Sequence, residues 1–159
     1  MGSDGLKIGV IGAGAWGTAL ARLLASSGNS VQLWCREPET AKNILQKHVN
    51  TSFLPDILLP ESLGASTDLL EIVRNSRILA AAPPSHLTRE IAKKIRPEIT
   101  AEHILLILSK GIEQHSLALM SEIFAEELDN LPKLAVLSGP TFAREVALDL
   151  PSAAVLACA

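Results

Sequence analysis

Short apolar runs alternate along the chain with longer segments in which apolar residues recur every three or four positions. Runs bounded by glycine or proline are typical of strands buried in a sheet, whereas the periodic segments are typical of helices that bury one face. The predicted strands are Leu6–Ile11, Val31–Cys35, Arg77–Ala82, His103–Leu108 and Leu134–Leu137, followed by an extended Ser152–Ala157. The predicted helices are Ala15–Ser27, Glu39–Val49, Asp68–Asn75, Leu87–Ile95, Gln114–Leu128 and Phe142–Leu148.

The order of these elements predicts the fold class. Strand and helix alternate at least five times, which favours a doubly wound α/β fold of the Rossmann type, in which a mainly parallel sheet carries helices on both faces. The 159 residues are enough for one such domain. We therefore expect residues 6–159 to form the domain and residues 1–5 to be an expression tag or a disordered start.

The composition limits the kinds of molecule that the protein is expected to bind. A formal net charge of −3 leaves no basic surplus for a nucleic-acid backbone or an anionic lipid surface, and no apolar stretch reaches the roughly 20 residues of a membrane span. The two cysteines, Cys35 and Cys158, and the four histidines form no ligand pattern. We expect a protein of the reducing cytoplasm that binds neither nucleic acid, nor membrane, nor metal.

A glycine-rich turn lies between the first predicted strand and the first predicted helix. Its sequence, Gly12–Gly17, matches GxGxxG. In such turns the first glycine permits a tight bend, Gly14 lets the backbone approach a pyrophosphate, and Gly17 lets the helix pack close to the sheet. The amides of the first helical turn, from Ala15 onward, then face the phosphates. A purely structural turn is the alternative, but the position in the first βαβ unit favours dinucleotide binding.

The end of the second predicted strand bears on the choice of coenzyme. An acidic residue at this place usually binds the adenosine ribose of NAD, but the sequence continues with Arg36 before Glu37. A guanidinium can bind a 2′-phosphate through two hydrogen bonds and stack on adenine. We therefore expect NADPH to bind at least as well as NADH. In the alternative interpretation, Arg36 is a solvated surface charge and Glu37 binds the ribose.

Three further runs, together with the glycine turn, carry a family resemblance. They are Asn50–Pro55, Ser109–Glu113 and Leu137–Ala143. In this order and at these spacings, the set closely resembles the bacterial NAD(P)-dependent sn-glycerol-3-phosphate dehydrogenases, from about Lys7 to Ala157. The resemblance implies reversible hydride transfer between NAD(P)H and dihydroxyacetone phosphate, giving sn-glycerol 3-phosphate for phospholipid synthesis.

The resemblance also implies roles for individual residues. Coenzyme contacts are expected from Trp16, Arg36, Phe53, Lys110 and Ala143 in addition to the glycine turn, and substrate contacts from Lys110, Gly139 and Thr141. Taken alone, a lysine at a strand end is usually solvated, and a Ser-Gly-Pro-Thr stretch is usually a turn or a helix cap. With the family pattern present, the ammonium of Lys110 is expected to act in catalysis by stabilising negative charge on the carbonyl oxygen.

Members of the family carry a second, helical domain that supplies the lysine acting as general acid or base. No candidate for that lysine follows Ala157, so we expect this chain to be a fragment that binds coenzyme but turns over negligibly by itself. In such a fragment, the apolar surface that would face the second domain is exposed and is available to a second copy of the chain. A homodimer is therefore one expected state.

Two other functions are compatible with parts of the sequence. One is a non-catalytic NAD(P)-sensing module, which would not need Lys110 or substrate contacts near Thr141. The other is a related two-domain dehydrogenase acting on 6-phosphogluconate or a nucleotide sugar, against which the runs Asn50–Pro55 and Ser109–Glu113 count.

Overall fold

The computed structural model describes residues 5–129 and 132–158, so most of the predicted tag or disordered start lies outside the described residues. The strands are β1 (Lys7–Ile11), β2 (Ser30–Trp34), β3 (Gly64–Ser66), β4 (Ile78–Ala81), β5 (Ile104–Ile107), β6 (Lys133–Ser138) and β7 (Val155–Cys158). The helices are α1 (Ala15–Ser26), α2 (Pro38–Lys47), α3 (Leu69–Asn75), α4 (Thr88–Ile95), α5 (Met120–Glu127) and α6 (Ala143–Ala147), with a 3-10 turn at Ser85–Leu87 before α4. Within the described ranges, the helices are too short or too polar to cross a bilayer.

The strands form one sheet in the order β3-β2-β1-β4-β5-β6-β7. The first six are parallel, and β7 pairs antiparallel to β6. The chain builds outward from β1 in one direction and from β4 in the other, so the strand order reverses between these two strands. The predicted Rossmann-type fold is confirmed, and this reversal is where such sheets bind ligands beyond the carboxyl ends of their strands.

Two apolar clusters lie on opposite faces of the sheet. Ile8 and Val10 of β1 belong to the cluster covered by α1, α2 and α6, whereas Ile11 belongs to the cluster covered by α3, α4 and α5. Successive side chains of a strand point to opposite faces, so β1 is apolar from Ile8 to Ile11 because both faces of the sheet are covered there, whereas Lys7 at its start is exposed. The sheet therefore holds the end of β1 rigidly between two helical layers.

Two parts of the secondary structure differ from the prediction. The edge strand β3 was not predicted, because its three small residues carry no hydrophobic pattern. The helix predicted over Gln114–Leu128 was wrong at its start, since α5 begins only at Met120. Leu117 adopts a left-handed conformation with φ 59°, which a helix cannot accommodate. The amide of Leu119 donates to the Glu122 carboxylate at 2.7 Å, which satisfies one N–H at the start of the shortened helix.

Candidate functional site

A cleft of about 530 Å³ opens at the carboxyl ends of the central strands. Its volume lies within the range typical of small-molecule and cofactor sites. The predicted site residues that line it are Gly12, Gly14, Ala15, Trp16, Gly17, Arg36, Phe53, Lys110 and Thr141. The tertiary structure thus brings together residues from five separate stretches of the sequence.

The three glycines of the turn differ in what surrounds them. Gly12 has φ +116°, and a Cβ there would lie 2.9 Å from the carbonyl oxygen of Ala82. A Cβ on Gly17 would lie 2.0 Å from the carbonyl oxygen of Gly12. Both positions therefore require glycine for the fold itself. At Gly14 no heavy atom of the described residues, apart from those adjacent in the chain, lies within 4 Å of the ideal Cβ position, so the space beside it belongs to the cleft.

Gly14 is also the N-cap of α1, and it contributes no side-chain cap. The N–H groups of the first helical turn, including those of Ala15 and Trp16, have no partner within the helix. Because the positive end of the helix dipole adds to these donors, the start of α1 is suited to an anion. The arrangement fits the diphosphate of a dinucleotide.

Asn50 joins the glycine turn to the loop that carries Phe53. Its side chain is fully buried, and its Nδ2 donates to the carbonyl oxygen of Ala13 and to Oγ1 of Thr18, both at 2.8 Å. Its Oδ1 accepts from the amide of Phe53 at 3.2 Å. Phe53, which is half exposed, lines the cleft, and its predicted contact with the coenzyme stays a prediction. The sequence analysis did not assign this role to Asn50, and its place at the start of the Asn50–Pro55 run was the only signal.

Charged groups surround the end of the cleft next to β2. Arg36 and Glu37 are both exposed, and their charged atoms lie 4.0 Å apart. From α4, Glu90 and Lys94 line the same cleft, and the Lys94 ammonium donates to the Glu90 carboxylate at 2.7 Å. Lys94, and more weakly Arg36, hold the pKa of Glu90 below its ordinary value. Sequence analysis missed both α4 residues, because an exposed helical ion pair carries no sign of what lies opposite.

Lys110 lies in the loop after β5, at the far side of the cleft. Its Nζ donates to the carbonyl oxygen of Gly139 at 3.1 Å, and Gly139 follows β6, so the ends of two neighbouring strands bring these residues together. The amide of Thr141 donates to the same carbonyl oxygen at 2.9 Å. The preceding residue, Ser109, anchors the loop by donating to the carbonyl oxygen of Pro83 at 2.6 Å.

Two predicted site residues do not line the cleft. Gly139 contacts Lys110 through its carbonyl oxygen but does not itself line the cleft, and a Cβ there would come within 2.6 Å of the Ala153 carbonyl oxygen. Ala143 begins α6 and packs, half buried, against the apolar cluster beneath α1. Their predicted contacts with substrate and coenzyme stay predictions.

Residues 7–159 match the family model described as NAD-dependent glycerol-3-phosphate dehydrogenase N-terminus. The chain belongs to this family. Among its relatives, the glycerol-3-phosphate dehydrogenase [NAD(P)+] of Paramagnetospirillum magneticum is 48% identical over 96% of this chain and 55% of that protein. The enzyme of the same name from Leptospira biflexa is 44% identical over 92% of this chain and 45% of that protein. The resemblance drawn from the sequence motifs is thereby confirmed, and neither alternative function is favoured.

Solved structures of glycerol-3-phosphate dehydrogenases share the fold. The enzyme from Coxiella burnetii superposes with a TM-score of 0.90 at 35% identity, over 98% of this chain and 47% of that one. The enzyme from Saccharomyces cerevisiae gives a TM-score of 0.87 at 29% identity, over 97% of this chain and 47% of that one. The chain thus spans about half the length of the relatives it matches and corresponds to their N-terminal domain.

Proposed function

We propose that the chain is the coenzyme-binding part of an NAD(P)-dependent enzyme that interconverts dihydroxyacetone phosphate and sn-glycerol 3-phosphate. The observation that carries this proposal is the open space beside Gly14 at the start of α1. Because glycine has no side chain, this space is part of the cleft. In the family that the chain belongs to, the relatives are named as NAD(P)+-dependent glycerol-3-phosphate dehydrogenases. This supports the same reaction for the protein that contains this chain.

The residues at the two ends of the cleft suit different parts of the coenzyme. The diphosphate would lie on the first-turn amides of α1 beside Trp16, with the adenosine toward Arg36 and the nicotinamide toward Phe53 and Lys110. Arg36 is suited to a 2′-phosphate, and Lys94 adds a second positive charge to the same end of the cleft. The negative charges of Glu37 and Glu90 repel a phosphate at this end, but their carboxylates can accept hydrogen bonds from ribose hydroxyls. We therefore propose that both coenzymes bind, with NADPH at least as tightly as NADH.

Lys110 has the chemistry required at the reacting end. When bound, the nicotinamide supplies or accepts the hydride. The Lys110 ammonium donates a hydrogen bond to the substrate carbonyl oxygen and stabilises the negative charge that develops on it. Its contact with the Gly139 carbonyl limits the directions in which the ammonium can point. Thr141 lines the cleft next to Lys110 and offers a hydroxyl to the substrate. By resemblance, the proton comes from a lysine of the helical domain.

The proposal extends to the cellular setting. Both cysteines are free thiols, with Cys35 buried and Cys158 exposed, as is usual in a reducing cytoplasm. Exposed apolar side chains at Phe142, Val155 and Leu156 offer a surface for a second domain or for a homodimer. The product would supply phospholipid synthesis.

Titration of the chain with NADPH and NADH tests the proposal. The two tryptophans, Trp16 and Trp34, both line the cleft and report binding by fluorescence. Gly14→Ala is expected to fold normally, because the backbone φ of −69° suits alanine and the added Cβ meets no non-adjacent residue of the described ranges within 4 Å. Its Cβ occupies the space of the diphosphate, so affinity should fall by about tenfold or more, the equivalent of one charge-assisted hydrogen bond.

Gly28→Ala is the matched control, since Gly28 follows the other end of α1 with φ +85°. This variant should lose stability through backbone strain but keep the coenzyme affinity. Absence of binding by folded wild-type chain, or wild-type affinity in Gly14→Ala, would contradict the proposed site. Tighter binding of NADH than of NADPH would contradict the role of Arg36. With the full-length protein, preference for a phosphorylated ketone other than dihydroxyacetone phosphate would reject the substrate.

A further inference from the structure

A cluster of one arginine and three acidic residues lies outside the cleft. Arg89 of α4 binds both carboxylate oxygens of Glu113, through Nε at 2.8 Å and through a terminal nitrogen at 2.8 Å. It also donates to Glu126 at 2.9 Å and to Glu127. The Arg89 and Glu113 side chains are only 25% and 20% exposed, so water screens their interaction less than that of a surface pair. Two-point binding also fixes their relative orientation.

Glu113 organises the loop that carries Lys110. Its amide donates to the carbonyl oxygen of Ala118 at 2.9 Å, and its own carbonyl accepts from the amide of Leu117 at 3.0 Å. Its carboxylate accepts a further hydrogen bond from the Ser116 hydroxyl. No helix or strand of the described chain includes this loop, so its conformation depends on the Ser109 anchor before Lys110 and on the hydrogen bonds centred on Glu113, three positions beyond it.

Arg89 connects this loop to the wall of the cleft. The neighbouring α4 residues Glu90 and Ile91 line the cleft, as does Lys110 on the other side. A bond between Arg89 and Glu113 therefore sets the distance between the α4 wall and the Lys110 loop. Lys110 itself is exposed, and the only hydrogen bond of its ammonium to the described part of the chain is the one to Gly139. Its long side chain depends on the loop for its placement.

We propose that Arg89 and Glu113 are positioning residues that hold Lys110 against the coenzyme and the substrate. The inference rests on the proposed function of Lys110. It adds that the ion pair of Arg89 and Glu113 controls the position of Lys110. A displacement of about 1 Å at a reacting centre can reduce a rate by two orders of magnitude. Neither residue needs to touch a ligand for its removal to impair the site.

A double-mutant cycle tests this inference by NADPH titration of wild type, Lys110→Ala, Glu113→Gln and the double variant. If Glu113 acts through Lys110, each single variant should weaken NADPH binding by roughly three- to thirtyfold. The double variant should bind no more weakly than Lys110→Ala alone. Glu126→Gln is the matched control, because it removes an Arg89 partner that is 55% exposed and leaves the loop contact intact. It should bind NADPH as the wild type does.

Hydrogen exchange supplies a second readout. The amides of Glu113 and Leu117 should exchange faster in Glu113→Gln than in the wild type, and at the wild-type rate in Lys110→Ala. If Glu113→Gln does not fold, Glu113→Asp keeps the charge, shortens the side chain and enters the same cycle.

The outcomes separate the two proposals. Unchanged NADPH affinity in Lys110→Ala overturns the proposed contact of Lys110 with the coenzyme, and the inference falls with it. Weakened binding in Lys110→Ala but not in Glu113→Gln overturns the inference alone. So does a loss from Glu113→Gln that is equally large when Lys110 is absent, because the effect then does not pass through Lys110.

Discussion

Replacement of Asn50 by alanine should destabilise the domain far more than replacement of an asparagine whose hydrogen-bond partner is exposed. The side chain is fully buried, and its loss leaves the Ala13 carbonyl and the Thr18 hydroxyl without the donor that now lies 2.8 Å from each. A buried polar group without a partner costs about 1–3 kcal/mol. Two buried acceptors, the Ala13 carbonyl and the Thr18 hydroxyl oxygen, lose this donor, so we expect a total loss of about 2–4 kcal/mol. For a domain of this size, that lowers the melting temperature by about 4–16 °C.

Asn43→Ala provides the comparison. The Asn43 amide donates at 3.3 Å to the hydroxyl of Thr51, which is exposed, so water can replace the lost partner. We expect this variant to lose about 1 kcal/mol or less. Urea unfolding at neutral pH, followed by circular dichroism, gives both free energies. If Asn50→Ala costs no more than Asn43→Ala, the hydrogen bonds of Asn50 do not hold the glycine turn and the reasoning fails.

Two further predictions concern titratable groups. Arg89 lowers the pKa of Glu113 to about 2, and a lowered pKa stabilises the fold above the ordinary value of 4.5. The difference in unfolding free energy between wild type and Glu113→Gln should therefore be constant above about pH 5 and shrink as the pH falls toward 2; a pH-independent difference would refute this. Burial raises the pKa of the Cys35 thiol to about 12, so at pH 8 a thiol reagent should label Cys158 quickly and Cys35 only after unfolding. Rapid labelling of both thiols in the folded chain would show that Cys35 is accessible.

The features predicted well from the sequence depend on neighbours along the chain. The strand and helix pattern follows from the alternation of apolar and polar residues, and the need for glycine at Gly17 follows from a contact within a few positions. The clash at Gly17, for example, involves the carbonyl oxygen of Gly12. The start of α5, in contrast, was predicted wrongly because it depends on a contact with another helix. The hydrogen bonds that hold residues 113–118 in a loop come from Glu113, whose carboxylate is fixed by Arg89 on another helix.

The members of the site that sequence analysis missed depend on contacts between distant segments. Asn50 lies 37 positions from the Ala13 carbonyl that it binds, and Glu90 faces the cleft from α4 whereas Arg36 faces it from the loop after β2. Polar residues of this kind have no periodicity, and the same residue types are common on any surface. Their roles become visible only when the partner is known.

The sequence by itself determined that a parallel sheet forms and that a glycine turn opens onto the first helix, because apolar periodicity and backbone sterics act over short distances. The family could also be recognised from four ordered motifs. Only the tertiary structure decided that Lys110 meets Gly139, that α4 supplies charge to the cleft, and that Arg89 reaches the Lys110 loop. These contacts join segments far apart in the chain, and their distances are set by the packing of helices on the sheet.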